Sequence, residues 1–263
     1  GGIKYATYEK KIMTKKQTQS AYHSIKLLHN LTKKLLKNKT LQPAFRITLF
    51  QLRKDIKAAL SFWKHAEKVS QKSQLFLGFD KLQIGGGKHY LSGFINLDIF
   101  PPADIVWDCR YGLPFSKERF KFVFSEHFFE HLDFPTSAKN VLQEIYRVLK
   151  PNSELLLGVP DGGRVVKAYC REDKQLLNTL RHRCYNKRQP AAEIYGGIDL
   201  VNYIFRDQLD NPDYTIHYWA YDEVSLTNLL RSVGFRKVEK RKFDSRYCNP
   251  KRKFYTLYIR AIK

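Results

Sequence analysis

Acidic side chains are scarce in this chain: 25 Asp and Glu stand against 47 Lys and Arg, leaving a net charge of +22 and a sequence pI near 9.8. A field of that size concentrates anionic partners around the molecule, whether phosphates, nucleic acid or anionic lipid. Cysteine is scarce too. Cys109, Cys170, Cys184 and Cys248 show neither C-x-x-C spacing nor a dense framework, which predicts a reducing, cytoplasmic setting and argues against a structural zinc site. No apolar run approaches the ~20 residues that span a bilayer, and no signal-peptide pattern is present. The chain has no glycine-lysine-serine/threonine phosphate loop, so a triphosphate cradle is not expected. A dinucleotide fingerprint is also missing, because Tyr90 stands where G-x-G-x-x-G needs its third glycine.

What the chain does have is a glycine turn between two short apolar runs. Residues 81–98 read KLQIGGGKHYLSGFINLD, with Leu82 and Ile84 before Gly85, Gly86 and Gly87, and Phe94, Ile95 and Leu97 before Asp98. The pattern predicts a strand, a turn, a brief crossover and a second strand ending in a carboxylate. Glycine admits positive φ and lets a ligand lie against the main chain. An acid at the carboxyl end of the next parallel strand accepts hydrogen bonds from ribose hydroxyls. Asp98 lies only 11 residues past Gly87, closer than a dinucleotide site requires. S-adenosylmethionine is the remaining common user of such a pair; a purely structural tight turn is the alternative.

Residues 1–79 predict a basic helical extension. Tyr22, Ile25, Leu28, Leu31 and Leu35 recur at helical spacing, as do Phe45, Leu49, Leu52, Ile56, Leu60 and Trp63, with a break at Gln42-Pro43. The first 80 residues hold 17 Lys/Arg and four Asp/Glu, more than half the net charge. Either the outer face is merely solvated, or it docks an anionic or phosphate-bearing partner, a membrane surface or RNA. Stacking aromatics are sparse there, which disfavours RNA and other nucleic acid. Docking on a membrane would make the protein peripheral.

Downstream the chain reads ADIVWDCRYGLPF, FKFVFSEHFFEHL, VLQEIYRVLKPNSELLLGVPD and finally YDEVSLTNLLRSVGF. This series resembles the class I S-adenosylmethionine-dependent methyltransferases, and looks most similar to a branch found among polysaccharide-biosynthesis enzymes. The resemblance is close over residues 80–161 and looser over 221–263. It implies a Rossmann-like α/β fold over 80–263: a seven-stranded, mostly parallel sheet with the last strand antiparallel. Strands are expected at 81–84, 94–98, 103–107, 120–124 and 154–159, with a closing antiparallel pair at 236–243 and 254–262. Helices are expected at 137–149, ended by Lys150-Pro151-Asn152, and at 223–233, capped by Asp222 and ended by Gly234.

The resemblance further implies that Asp108 contacts the adenine amino group and that Ser125 and Glu126 border the methionine half of the cofactor. His127, Glu130 and His131 stand at i, i+3 and i+4, so one helical turn would bring them to one face. That set could hold a divalent metal; some ubiquinone-pathway O-methyltransferases, to which the segment is similar, use a Glu-x-x-Glu-His trio there, whereas here the first member is histidine. Asp161, beyond the fifth strand, reads as a base, a metal ligand or a turn aspartate. His217, just before the capped helix, reads as a general base or a packed histidine. The insertion at 164–220 is rich in Arg and Tyr (Arg164, Arg171, Arg181, Arg183, Arg188, Tyr169, Tyr185, Tyr195, Tyr203), which suits sugar rings or phosphates.

The chain lacks the Asn/Asp-Pro-Pro-Tyr/Phe tetrapeptide with which amino-methylating nucleic-acid enzymes hold a planar nitrogen; Ser125-Glu126-His127-Phe128 stands there instead. With His127, Asp161 and His217 available as bases, O-methylation of a sugar hydroxyl in a glycan or polysaccharide precursor is the leading expectation. Methylation of a secondary metabolite or peptide carboxylate, RNA methylation, and a catalytically dead binding module are the alternatives.

Overall fold

The computed structural model describes residues 15–38, 40–182, 194–205 and 216–263. Arg183, Cys184, Tyr185 and Arg188 of the insertion lie outside them. Two N-terminal helices, α1 (Lys15–Leu35) and α2 (Pro43–Gln74), precede the sheet, and the break falls at Pro43 as expected. Proline tolerates the first helical turn because its missing N–H has no partner there in any case. Tyr22 of α1 meets Trp63 of α2 with ring centroids 6.4 Å apart.

Seven strands form one sheet: β1 (Lys81–Ile84), β2 (Ile95–Asp98), β3 (Ile105–Val106), β4 (Phe120–Glu126), β5 (Leu149–Pro160), β6 (Arg236–Arg241) and β7 (Thr256–Ile262), in the order β3-β2-β1-β4-β5-β7-β6. Only β7 runs against the others, pairing antiparallel with both β5 and β6. This is the predicted Rossmann-like methyltransferase architecture. Parallel strands covered on both faces read as near-continuous apolar runs, and Leu82, Ile84, Ile95, Phe120, Val123, Phe124, Leu155 and Leu157 are buried accordingly. The order reverses between β1 and β4, and ligands of open α/β sheets lie at such a switch point, beyond the carboxyl ends of the strands.

Helix α3 (Thr136–Val148) packs Ala138, Val141, Leu142, Ile145 and Val148 on the sheet. It stops one residue short of the expected Leu149, which is already extended (φ −71°, ψ 140°) and pairs with Phe120 as the start of β5. The proline at 151 therefore lies inside the strand, and it disfavours helical dihedrals in Lys150 before it. The insertion contributes α4 (Gly162–Cys170), α5 (Lys174–Leu180) and α6 (Gly197–Phe205), which share their own cluster around Val165, Leu180, Leu200 and Ile204. Helix α7 (Glu223–Val233) has the expected Asp222 cap, reciprocated by Ser225, and ends on Gly234 with φ +113°. No helix of the described residues is long and apolar enough to cross a membrane.

The basic extension is not a detached arm. Phe62 of α2 is buried between Trp107 (centroids 4.8 Å) and Tyr111 (4.4 Å, stacked), and the Ser61 hydroxyl donates to the Ile99 carbonyl at 2.9 Å. Helix α2 thus covers the β3 side of the sheet through Phe62, which lies outside the expected apolar series; of that series Leu49 and Ile56 are buried, whereas Phe45 and Leu52 are exposed.

Candidate active site

Beyond β1 the chain turns at Gly85 (φ +70°) and Gly87 (φ +56°), a left-handed backbone that side chains disfavour. A Cβ on Gly85 would run into the Phe128 ring, so the turn fits only without one. Asp98 ends β2 and locks this turn: Oδ2 accepts from the Gly87 N–H at 2.9 Å and Oδ1 from the Phe100 N–H at 3.0 Å. Each oxygen retains a second lone pair for a ligand hydroxyl. Burial raises the Asp98 pKa, partly offset by those backbone donors. The glycines and Asp98 open on a pocket of about 610 Å³, within the range of small-molecule sites.

The far wall comes from the end of β4. His127 (φ +54°) leaves the strand, and a short 3₁₀ turn, Phe129–His131, follows. The expected α-helical turn is thus replaced by a tighter one, yet His127 and Glu130 still meet, Nδ1 to Oε1 at 3.5 Å, with His131 Nε2 4.0 Å from the same oxygen. Glu130 is 1 % exposed, and neither carboxylate oxygen has a hydrogen-bond partner. Burial drives its pKa up to about 8. Burial also holds His127 and His131 well below the usual imidazole range, with Arg252 next in effect for His127 and His217 for His131. His217 arrives from the far end of the insertion, its ring 5.1 Å from that of His131. Backbone bonds fix this approach, since the N–H groups of Tyr218 and Trp219 both donate to the Glu130 carbonyl, at 2.8 and 3.3 Å.

Comparison with known proteins places residues 102–157, from just before β3 to the middle of β5, in the family described as a methyltransferase domain. That match covers 56 of the 263 residues, and over this stretch the chain is similar to methyltransferase domains. No curated protein sequence matches the chain. Among solved structures it is similar to an S-adenosylmethionine-dependent methyltransferase from Methanosarcina mazei (18% identity, 73% of this chain and 96% of that one, TM-score 0.45). It is also similar to one from Archaeoglobus fulgidus (16%, 75% and 94%, 0.39). A third is the Burkholderia thailandensis 1,6-didemethyltoxoflavin-N1-methyltransferase with bound 1,6-didemethyltoxoflavin and S-adenosylhomocysteine (13%, 74% and 76%, 0.40). Likeness this distant says nothing of the acceptor.

Gly85, Gly86, Gly87, Asp98, Asp108, His127 and His131 all line the one pocket. Asp108 is already engaged: Arg110 clasps its carboxylate, Nε to Oδ1 at 3.0 Å and Nη2 to Oδ2 at 2.7 Å, so an adenine amino group would share those oxygens. Two expected contacts need correction. Ser125 and Glu126 do not line the pocket. Ser125 Oγ donates to the Ile84 carbonyl at 3.0 Å, tying β4 to β1. Glu126 accepts from the Tyr258 hydroxyl at 2.6 Å and the Asn249 N–H at 3.2 Å, with Arg252 Nη1 at 3.4 Å. Both are still strand residues, buried by their neighbours in the sheet. Asp161 caps α4 by accepting from the Arg164 N–H at 2.9 Å, and it lines a different cleft, with Lys167, Asp222 and Arg231.

Other wall residues escaped the sequence reading. Gln51, Lys54 and Asp55 come from α2, and Asn249, Lys251 and Arg252 from the β6–β7 connection. Gln51 donates to the Tyr218 hydroxyl at 2.9 Å, joining the extension to the insertion across the pocket mouth. Nothing local marks them, because polar residues on an amphipathic helix are ordinarily its solvated face.

Asp98→Ala tests the cofactor grip. If Asp98 accepts from a ribose, its loss, with two backbone donors orphaned, should weaken S-adenosylhomocysteine binding by about 1–3 kcal/mol, roughly 5- to 150-fold. Calorimetric titration reads this directly; unchanged affinity contradicts the assignment.

Proposed function

We propose that the chain is an O-methyltransferase acting on a sugar hydroxyl of a glycan or polysaccharide precursor. The observation that carries the oxygen reading is the pair of imidazoles His127 and His131 in the wall of the glycine pocket, backed by Glu130 and His217, which do not line it. Burial keeps His127 and His131 neutral near pH 7, and by disfavouring the imidazolium form it also makes them weaker bases than an unperturbed histidine. A hydroxyl acceptor needs such help more than an amine does, and a positioned base contributes about 10²–10⁴-fold.

The cofactor fits the residues present: a turn that admits no Cβ, facing an aspartate with spare lone pairs. When bound, S-adenosylmethionine supplies an electrophilic methyl group on sulfonium sulfur. The chain's residues orient both reactants, and fixed attack geometry contributes up to about 7–11 kcal/mol. Support for a sugar comes from exposed aromatics. Tyr218 lines the pocket, and Trp219 beside it stacks on Phe134 at 4.3 Å with a 9° interplanar angle. Such rings combine an apolar face with a polar edge.

Release of S-adenosylhomocysteine with a panel of oligosaccharides is the direct test. Turnover on a glycan is expected; none on any glycan, with turnover on phenols, peptides or RNA, overturns the acceptor assignment. His131→Ala should reduce kcat by about 10²–10⁴-fold and leave S-adenosylhomocysteine affinity within about twofold. Equal losses in both would make His131 a cofactor contact instead.

A further inference from the structure

Part of the apolar series expected of α1 faces water. The helix packs on α2 with Thr32 and Leu36 buried, and Arg46 of α2 donates to the Leu36 and Asn38 carbonyls at 3.3 and 3.0 Å, which fixes the end of α1. Leu27, Leu28 and Leu31, by contrast, are 57, 38 and 52 % exposed. At 3.6 residues per turn their spacing puts all three on one side of the helix. Singly exposed leucines are ordinary, whereas a contiguous exposed row marks an interaction surface.

The charge around that row has one sign. Lys26, Lys33, Lys34 and Lys37 are exposed alongside it. Between Glu9 and Asp55 the chain holds twelve Lys and Arg and not one acid. Leucines on one side of a helix with lysines beside them suit a bilayer interface, where the leucines reach the acyl boundary and the lysines meet anionic headgroups. Two other occupants fit less well. A second copy would set two acid-free helices against each other, and like charges across an interface are unfavourable. A nucleic acid would engage the lysines through its phosphates but leave the leucines in water, and stacking aromatics for its bases are sparse in the extension.

We propose that the outer face of α1, Leu27, Leu28 and Leu31 with Lys26, Lys33 and Lys34, docks the protein peripherally on an anionic lipid surface. The leucines enter the boundary between headgroups and acyl chains, and burying them supplies the apolar part of the affinity. The lysines supply an attraction to negative headgroups that fades as salt rises. Helix α2 ties this face to the sheet, through Phe62 against Trp107 and the Ser61 hydroxyl on the Ile99 carbonyl. The docking face is defined without reference to the cofactor or the acceptor.

The test is co-sedimentation of the full chain with vesicles of phosphatidylcholine plus phosphatidylserine, and with vesicles of phosphatidylcholine alone, at low and high salt. Wild type should partition at least about tenfold more strongly onto the mixed vesicles and lose most of that binding at high salt. Leu27→Ser combined with Leu31→Ser keeps the charge and should weaken binding at least about tenfold. Lys33→Gln combined with Lys34→Gln should do the same through charge. Lys139→Gln with Lys174→Gln removes equal charge at exposed positions of α3 and α5 and should bind as wild type does. Every substituted side chain is exposed, and circular dichroism of the same samples reports folding. Equal binding to both kinds of vesicle, binding to neither, or full binding by the folded leucine variant overturns the proposal. A dimer that the leucine variant abolishes, without vesicle binding, gives the face to a second copy; RNA retention without vesicle binding gives it to nucleic acid; either result overturns the proposal too. Vesicle binding is read without methyl transfer, so failure of the glycan assignment would leave this result standing.

Discussion

Gly85→Ala is expected to weaken S-adenosylhomocysteine binding by at least about tenfold, or 1.4 kcal/mol, and to destabilise the protein as well. Two costs combine. A side chain at φ +70° pays about 1–2 kcal/mol for the left-handed backbone, and the new Cβ overlaps the base of the Phe128 ring. Phe128 itself lines the pocket, so its displacement falls on the ligand's side of the turn. Gly87→Ala provides the comparison. Its φ of +56° carries the same backbone cost, but a Cβ there meets nothing within 4 Å. It should lose stability while keeping more of the affinity. Calorimetric titration with thermal unfolding of both variants separates the two terms; full affinity in Gly85→Ala would mean that the ligand does not lie against this turn.

Glu126→Ala is expected to cost about 3–5 kcal/mol of folding stability, the usual penalty for breaking a buried charged pair and a large share of the 5–15 kcal/mol available to most domains. Glu126 is 2 % exposed and joins three places: the end of β4, Tyr258 on β7, and Asn249 and Arg252 in the connection before β7. Removing it leaves the Tyr258 hydroxyl buried and loosens the segment that supplies Asn249, Lys251 and Arg252 to the pocket. Glu126→Gln retains an oxygen for Tyr258 and should recover part of the loss. Urea denaturation without cofactor measures both. Unchanged stability with a fall in S-adenosylhomocysteine affinity would instead make Glu126 the cofactor ligand that its motif position suggests.

These two residues show where local pattern suffices and where it misleads. Gly85 and Asp98 are legible because the site they form is made by consecutive elements: a turn, a short crossover and the next strand end. Their geometry follows from backbone rules acting over 14 residues. Glu126 occupies a motif position next to the pocket, yet the partners that turn it inward, Tyr258 and Arg252, lie more than 120 residues away. No spacing in the sequence reveals that pairing. Asp161 is similar: it stands at a strand's carboxyl end, as predicted, but a helix begins there and takes its carboxylate as a cap.

Periodicity and punctuation by themselves determined the glycine turn with its aspartate, the capped helix 223–233 and the amphipathic N-terminal pair, since each rests on contacts within a few residues; the seven-stranded sheet was what the family resemblance implied. Tertiary structure alone decided that α2 walls the pocket, that Glu126 is a strut, and that His217 stands against His131 and Glu130. Those outcomes depend on which distant segments share a burial site, and burial is a property of the packed sheet, not of any window of the chain.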